Sequence, residues 1–268
     1  MNGESFPRQA HDWPVLFHPS NLPLVWSGCL AGAWLGGFWP GDEHWDRLAI
    51  LLVGASALFA AGNFPHGGAG PRARWSGVGC LAVGLGMTAC LGWLPFALGA
   101  ALVGWIILCS WRREHPAAGA AFVVGNRLLL YPLASVASLR PEGMAATGEG
   151  ALLAAYFLGW YFVAGREHRP PWWPWLLLFL PVTVNAALSA HFGPGRLIVV
   201  ALPVFWLGRI AFGRVAPLGL GRAPALLAGS ILIDLSAVVA CAATLPWPGW
   251  FAILFVLALV SARFARAA

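Results

Sequence analysis

Long apolar runs alternate with short polar breaks along almost the whole chain. Ten of these runs predict helices, and most approach the roughly 20 residues that a membrane-crossing helix needs. The breaks carry proline, glycine and charged residues, which favour turns between helices. The predicted helices cover residues 21–40, 47–63, 75–92, 94–111, 117–138, 150–165, 172–190, 195–212, 224–244 and 249–264.

The number of crossings depends on the last two runs. Only Pro246, Trp247 and Pro248 separate them, so nine or ten membrane-crossing helices fit the pattern. The sequence shows no internal repeat of fixed length and no proline- or serine-rich linker. It therefore predicts an all-α, polytopic transmembrane helical bundle over 21–268, preceded by a polar N-terminal segment over 1–20.

Composition indicates that the outside of this bundle faces lipid rather than water. Hydrophobic residues make up 59% of the chain and charged residues only 10%, whereas soluble domains carry about 25% charged residues. A soluble protein could not hide so much apolar surface, but a lipid-facing exterior can itself be apolar. The glycines of the first run, Gly28, Gly32, Gly36 and Gly37, would let helices approach closely.

The net charge of +6 comes from sixteen arginines, with no lysine. They stand singly or in pairs between apolar runs and form no basic patch of the kind that binds nucleic acid. With the N-terminus placed inside, twelve arginines fall in inner segments, three in outer ones and Arg127 within a predicted helix, which predicts cytoplasmic termini in the cell (inner) membrane. The inner arginines are Arg8, Arg72, Arg74, Arg112, Arg113, Arg166, Arg169, Arg209, Arg214, Arg222, Arg263 and Arg266, and the outer ones are Arg47, Arg140 and Arg196.

The five cysteines lie inside apolar runs without a C-x-x-C pair or a Cys/His cluster. This placement predicts small buried hydrophobic side chains rather than disulfides or metal ligands. The chain also has no P-loop, G-x-S-x-G or H-E-x-x-H motif, so these routes to phosphate binding, acyl transfer and zinc chemistry have no support.

Two ionisable residues, Arg127 and Asp234, fall in the middle of predicted helices. Charged groups at this depth are costly, and they usually have a functional role or a specific partner. Two interpretations stay open: the two side chains neutralise each other across two helices, or they face a polar cavity. Asn126, next to Arg127, belongs to the same region.

A second polar region lies at the predicted cytoplasmic helix ends, at His66, Arg112, Arg113, Arg166 and Glu167. These residues either set the topology as solvated flanks or ring the mouth of a cavity. In the second case the arginines would bind an anionic headgroup such as a diphosphate, because guanidinium groups match phosphate oxygens in pairs.

The sequence His-Pro-Ser-Asn-Leu-Pro-Leu-Val-Trp-Ser at residues 18–27, followed by Leu-Ala-Gly at 30–32, resembles the opening of a bacterial branch of the UbiA prenyltransferase superfamily. Four further stretches fit the same branch, so the resemblance covers nearly the whole chain. They are residues 54–59, 126–131, 156–167 and 227–234.

The resemblance implies a helical bundle around a central cavity that opens toward lipid. It implies transfer of an isoprenoid chain from a prenyl diphosphate to a lipophilic or aromatic acceptor, with Mg²⁺ held by two Asp-rich motifs. The partners would be an isoprenoid or other lipid substrate and the membrane lipids. Together with the polar residues singled out above, it makes Glu167, Arg127 and Asp234 the candidate catalytic residues and Arg112, Arg113, Arg166, His66 and Asn126 the candidates for diphosphate binding.

The chain departs from the family pattern at the metal motifs. The segment between Gly54 and Trp75 contains no carboxylate, although the first Asp-rich motif should fall there. Glu167 is the one residue of the second motif that is present, and it is the one candidate metal ligand. A Mg²⁺–diphosphate site normally uses several carboxylates, because Mg²⁺ prefers hard oxygen ligands.

Three hypotheses follow. The first is a divergent UbiA-like prenyltransferase. The second is a non-catalytic relative that binds an isoprenoid, quinone or pigment, or serves as a membrane partner. The third is an unrelated small transporter that uses Arg127 and Asp234, although the halves of the chain lack the repeat symmetry of many transporters.

Overall fold

The computed structural model describes residues 22–38, 44–61, 71–111, 116–138, 143–164, 172–212, 221–241 and 249–267. Within these ranges the chain forms ten α-helices, one short 3-10 turn at Ala190–Phe192 and no strand. The helices are α1 Leu22–Leu35, α2 Trp45–Ala61, α3 Pro71–Cys90, α4 Trp93–Trp111, α5 Pro116–Ala137, α6 Gly143–Ala164, α7 Trp173–Ser189, α8 Pro194–Phe212, α9 Arg222–Cys241 and α10 Gly249–Ala267.

The predicted all-helical fold is confirmed, and each predicted apolar run corresponds to one helix. The last two runs are separate helices, because α9 ends at Cys241 and α10 begins at Gly249. The largest difference concerns α6, which begins at Gly143 rather than near residue 150. Its first two turns therefore include Glu149, a residue that the apolar pattern placed outside the helix.

Among the described residues, three helices are long and apolar enough to cross a membrane, judged by length and composition. Their apolar windows are Ala120–Ala137 in α5, Gly195–Phe212 in α8 and Arg222–Cys241 in α9. Five further helices of the described chain carry shorter apolar stretches of 10–17 residues.

The exterior of the bundle is rich in apolar side chains. Ile198 and Phe205 of α8 are 71% and 66% exposed, which would be unfavourable over so wide a surface in water. Exposed tryptophans mark helix beginnings, as expected for side chains at a lipid–water boundary. They are Trp45, Trp75, Trp93, Trp172, Trp173 and Trp250.

Cysteine placement corrects one prediction. All five thiols are free, and Cys29 and Cys109 are buried as expected. Cys90 is exposed at the end of α3, so the prediction of a buried position is wrong there. The apolar run was a poor guide to burial because the outer surface of this bundle is itself apolar.

Helix α1 lies at the centre and packs against both α5 and α9. Twelve of the fourteen residues of α1 and fifteen of the twenty residues of α9 are buried. A helix surrounded on all sides needs no polar face, which explains why neither sequence shows a strong helical periodicity.

Glycines set the distance between α1 and α5. A methyl group built at Gly32 would lie 2.8 Å from both the Ala134 Cβ and the Tyr131 carbonyl oxygen. One built at Gly36 would lie 2.6 Å from the Ser135 carbonyl oxygen. The close approach predicted from these glycines is therefore present, and the backbones of the two helices are nearly in contact.

Gly37 has a different role from its neighbours. Its φ of 85° lies in the left-handed region, and its N–H binds the Trp34 carbonyl while the Phe38 N–H binds the Ala33 carbonyl. These two bonds form a Schellman motif that ends α1, and the Trp34 and Phe38 rings pack edge to face at 5.9 Å.

Two of the arginines that fall in predicted outer segments cap helix ends. Arg47, at the start of α2, donates to the carbonyls of Ala137 and Leu91 at 2.9 and 2.6 Å, at the ends of α5 and α3. Arg196, at the start of α8, donates to the Val239 carbonyl near the end of α9 at 2.9 Å. The beginnings of α2 and α8 thus lie beside the ends of α3, α5 and α9, so these helices alternate in direction.

We expect Arg47→Ala to lower the free energy of unfolding by about 1.5 kcal/mol, because it removes charged donors from two helix-end carbonyls. Denaturant unfolding of the purified protein in detergent measures this change. Arg263→Ala, which removes an exposed arginine from α10, should stay within about 0.5 kcal/mol of the parent. An equal loss in both variants would contradict the capping role.

Candidate functional site

A partly open pocket lies between α1, α2, α5, α6 and α9. Its empty space of about 330 Å³ includes the open mouth, and the cavity volume proper is about 20 Å³. Its walls are mainly apolar and include three phenylalanine rings, and Asn126 and Arg127 are its polar members. The lining residues are Leu24, Phe59, Phe122, Val123, Asn126, Arg127, Phe157 and Leu227.

The pocket lies toward one end of the bundle. Leu24 and Leu227 belong to the first two turns of α1 and α9, whereas Phe59 and Phe157 lie near the ends of α2 and α6. Because the helices alternate in direction, these helix ends meet on one side. It is the side that the arginine distribution predicts to be cytoplasmic.

Arg127 is 4% exposed and is held by two contacts. Its guanidinium donates to the Leu24 carbonyl at 2.9 Å, and its Cζ lies 4.6 Å from the centre of the Phe157 ring. The missing side chain of Gly28 makes room for it, since a methyl group there would come within 3.0 Å of the guanidinium. A buried cation is thus fixed in the pocket wall by a carbonyl dipole and an aromatic face.

One polar atom of Asn126 lacks a hydrogen-bond partner within the described part of the chain. The residue is 4% exposed, and its Oδ1 has no hydrogen-bond partner among the described residues. A buried acceptor in this state costs about 1–3 kcal/mol relative to a paired one. Any molecule that supplies a donor here would recover part of that energy.

Asp234 lies deeper and does not line the pocket. It is fully buried, and each carboxyl oxygen accepts one hydrogen bond at 2.5 Å, from the Ser27 hydroxyl and from the Tyr131 hydroxyl. The carboxyl group thereby joins α9 to both α1 and α5.

Arg127 and Asp234 therefore share one region without a direct hydrogen bond between them. Each charge influences the other electrostatically, but their hydrogen bonds go to different residues. Neither interpretation from the sequence describes the arrangement fully: Arg127 faces the pocket, and Asp234 serves the contacts between the three central helices.

Five of the predicted site residues, His66, Arg112, Arg113, Arg166 and Glu167, lie outside the described residues. Their positions in the chain follow the ends of α2, α4 and α6, which are Ala61, Trp111 and Ala164.

Sequence reasoning missed a second buried polar group on the opposite half of the bundle. It consists of Glu149 on α6, Asn185 on α7, and Ser236 and Cys241 on α9. The sequence held one indication, a carboxylate only seven residues before the buried Tyr156, but the predicted helix began after it.

The donors around the pocket do not match the Mg²⁺ that the family resemblance implies. Among the described lining residues only Asn126 offers a side-chain oxygen, and the adjacent Arg127 would repel a divalent cation. The described chain also contains no group of three or more His, Cys, Asp or Glu residues arranged to hold a metal. We therefore assign no reaction step to a metal ion at these residues.

Comparisons with known proteins add no assignment. The chain matches no protein-family model, no curated protein and no solved structure.

Proposed function

We propose that the chain is a multi-pass membrane protein with ten crossings and cytoplasmic termini. The excess of inner arginines supports this topology. Two of the three outer arginines, Arg47 and Arg196, donate to helix carbonyls, so their outer position has a structural explanation. Exposed apolar side chains and tryptophans at helix beginnings support a lipid environment.

We further propose that the pocket binds the isoprenoid chain of a prenyl diphosphate and that the protein is a UbiA-like prenyltransferase. The pocket carries this proposal, because it joins apolar aromatic walls to one buried cation, Arg127. An isoprenoid would contact the rings of Phe59, Phe122 and Phe157, and its diphosphate would lie toward the guanidinium. The resemblance at residues 18–27 supports the same substrate class.

The proposed chemistry begins with departure of the diphosphate from the allylic carbon. Negative charge builds on the leaving oxygens, and nearby guanidinium groups stabilise it. Arg127 supplies one such group, and Arg112, Arg113 and Arg166 would supply others from the connections that follow α4 and α6. The phenylalanine faces would stabilise the allylic cation that remains.

A second candidate function is isoprenoid binding without transfer. It is favoured by the lining of the pocket, which contains no carboxylate among the described residues. A relative that lost its metal ligands would keep the apolar walls and bind a prenyl lipid or a quinone. Both candidates require the same pocket, and they differ in turnover.

We expect Arg127→Met to weaken the binding of a prenyl diphosphate at least tenfold, or about 1.4 kcal/mol. The substitution removes the cation but retains most of the apolar volume. Asn126→Asp should weaken binding similarly, because it places a negative charge beside the diphosphate. Titration of the purified protein with farnesyl diphosphate in detergent measures both changes.

Arg263→Met removes an equal charge from an exposed position and should leave the affinity unchanged. Unchanged affinity in both pocket variants would contradict the proposed binding site. Incubation with labelled prenyl diphosphates and aromatic acceptors, with and without Mg²⁺, separates the two candidate functions. Binding without product would favour the non-catalytic candidate.

A further inference from the structure

Glu149 is a buried carboxyl group on the side of the bundle opposite the pocket. It lies in the second turn of α6 and is 5% exposed. Its Oε1 accepts a hydrogen bond from the Cys241 thiol on α9 at 3.4 Å, and the Asn185 amide on α7 interacts with the same carboxyl. Three helices therefore enclose it.

Only one of the two polar atoms of the Asn185 amide makes a hydrogen bond to the residues that the structure describes. Its Nδ2 donates to the Ser236 hydroxyl at 2.9 Å, and that hydroxyl donates to the Ile233 carbonyl at 2.8 Å. Its Oδ1 has no hydrogen-bond partner among the described residues, although the side chain is fully buried. An unpaired acceptor thus stands in the same enclosure as the carboxyl group, and the nearby hydroxyl already donates elsewhere.

No cation of the described chain is bound to Glu149. The titratable groups that act on it or lie beside it are Asp234 and Cys241 on α9 and Tyr131 on α5. Arg127 on α5 is turned to the Leu24 carbonyl, and Arg196 on α8 reaches the Val239 carbonyl. A negative carboxylate here would have acidic and neutral neighbours, and burial of such a charge costs several kcal/mol.

We propose that Glu149 is a proton-binding site, occupied at neutral pH, in which the proton neutralises a carboxyl group buried beside Cys241 and Asn185. One proton removes the uncompensated charge that the buried carboxylate would otherwise carry. A metal cation fits less well, because it would need several oxygen ligands and Cys241 offers a soft sulfur instead. The proposal does not depend on the function of the pocket.

Dicyclohexylcarbodiimide tests the proposal, because this apolar reagent modifies protonated carboxyl groups inside apolar surroundings. The purified full-length protein is treated at neutral pH and digested, and the adducts are located by mass spectrometry. We expect an adduct on Glu149 and its loss in Glu149→Gln. Asp234 provides an internal comparison, since two hydroxyl groups already occupy its oxygens and it should stay unmodified.

Infrared spectroscopy of protein with isotopically labelled glutamate gives a second, reagent-free measurement. We expect the carbonyl stretch of a protonated acid at neutral pH, its loss in Glu149→Gln and its retention in Asp234→Asn. Absence of this band in the parent protein would overturn the proposal. Suppression of the adduct by Na⁺ at constant ionic strength would also overturn it, because the site would then bind a metal cation.

Discussion

Replacing Asp234 with alanine should lower the free energy of unfolding by about 3–5 kcal/mol, the range observed when one member of a buried charged network is removed. The carboxyl group accepts hydrogen bonds from Ser27 and Tyr131, so its loss leaves the fully buried Tyr131 hydroxyl without a partner. It also leaves a cavity where three helices meet. Chemical denaturation in detergent, followed by tryptophan fluorescence or circular dichroism, measures the change.

Two variants test the cause of this loss. Asp234→Asn keeps the volume and one acceptor, so it should cost about 1–2 kcal/mol. Thr183→Ala removes an exposed hydroxyl that binds only the Leu180 carbonyl of its own helix, and it should change stability by less than about 0.5 kcal/mol. If Asp234→Ala behaves like Thr183→Ala, the carboxyl group does not hold the central helices together.

Gly32→Ala should destabilise the protein by about 3 kcal/mol, near the upper end of the effect of overpacking. The added methyl group would lie 2.8 Å from the Tyr131 carbonyl oxygen, a backbone atom that cannot turn aside. Helices α1 and α5 would have to separate, and the Tyr131 hydroxyl would move relative to Asp234. The same unfolding measurement applies.

Gly86→Ala is the matched control. No atom lies within 4 Å of a methyl group built at this position in α3. Alanine favours the helix over glycine by about 0.5–1 kcal/mol, so this variant should be slightly more stable than the parent. Opposite signs for the two substitutions would support backbone contact between α1 and α5. A neutral Gly32→Ala would contradict it.

The helices were predictable because each is an apolar run that ends at proline, glycine or charge. The beginning of α6 was not, since Glu149 reads as a polar break in a one-dimensional pattern. Its carboxyl group is enclosed by Asn185 and Cys241, which follow it by 36 and 92 residues in the chain (185 − 149 and 241 − 149). Local composition contains no information about such distant partners.

The candidate site was predictable at the level of residue type. Arg127 and Asp234 stood out because charge is rare inside apolar helices. Their partners were not predictable: Asp234 binds Ser27 across 207 residues and Tyr131 across 103 residues, and Arg127 binds a backbone carbonyl rather than a side chain. Asn126 drew attention only as a neighbour of Arg127, whereas the unpaired state of its Oδ1 requires coordinates.

The hydrogen bonds of the central helices also bear on how the chain is synthesised. Arg127 and Asp234 both emerge from the ribosome after the residues that receive them, because Leu24, Ser27 and Tyr131 precede them. A charged residue adds about 2.5–3.5 kcal/mol to helix insertion, and waiting partners offset this cost. Glu149 has the reverse order, because Asn185 and Cys241 are translated later. In the proposed ten-crossing topology, α6 would therefore enter the bilayer before these two partners of its acid exist. Insertion of α6 would therefore be the step of synthesis at which the charge of Glu149 matters most, because it comes before α7 and α9 have joined the bundle.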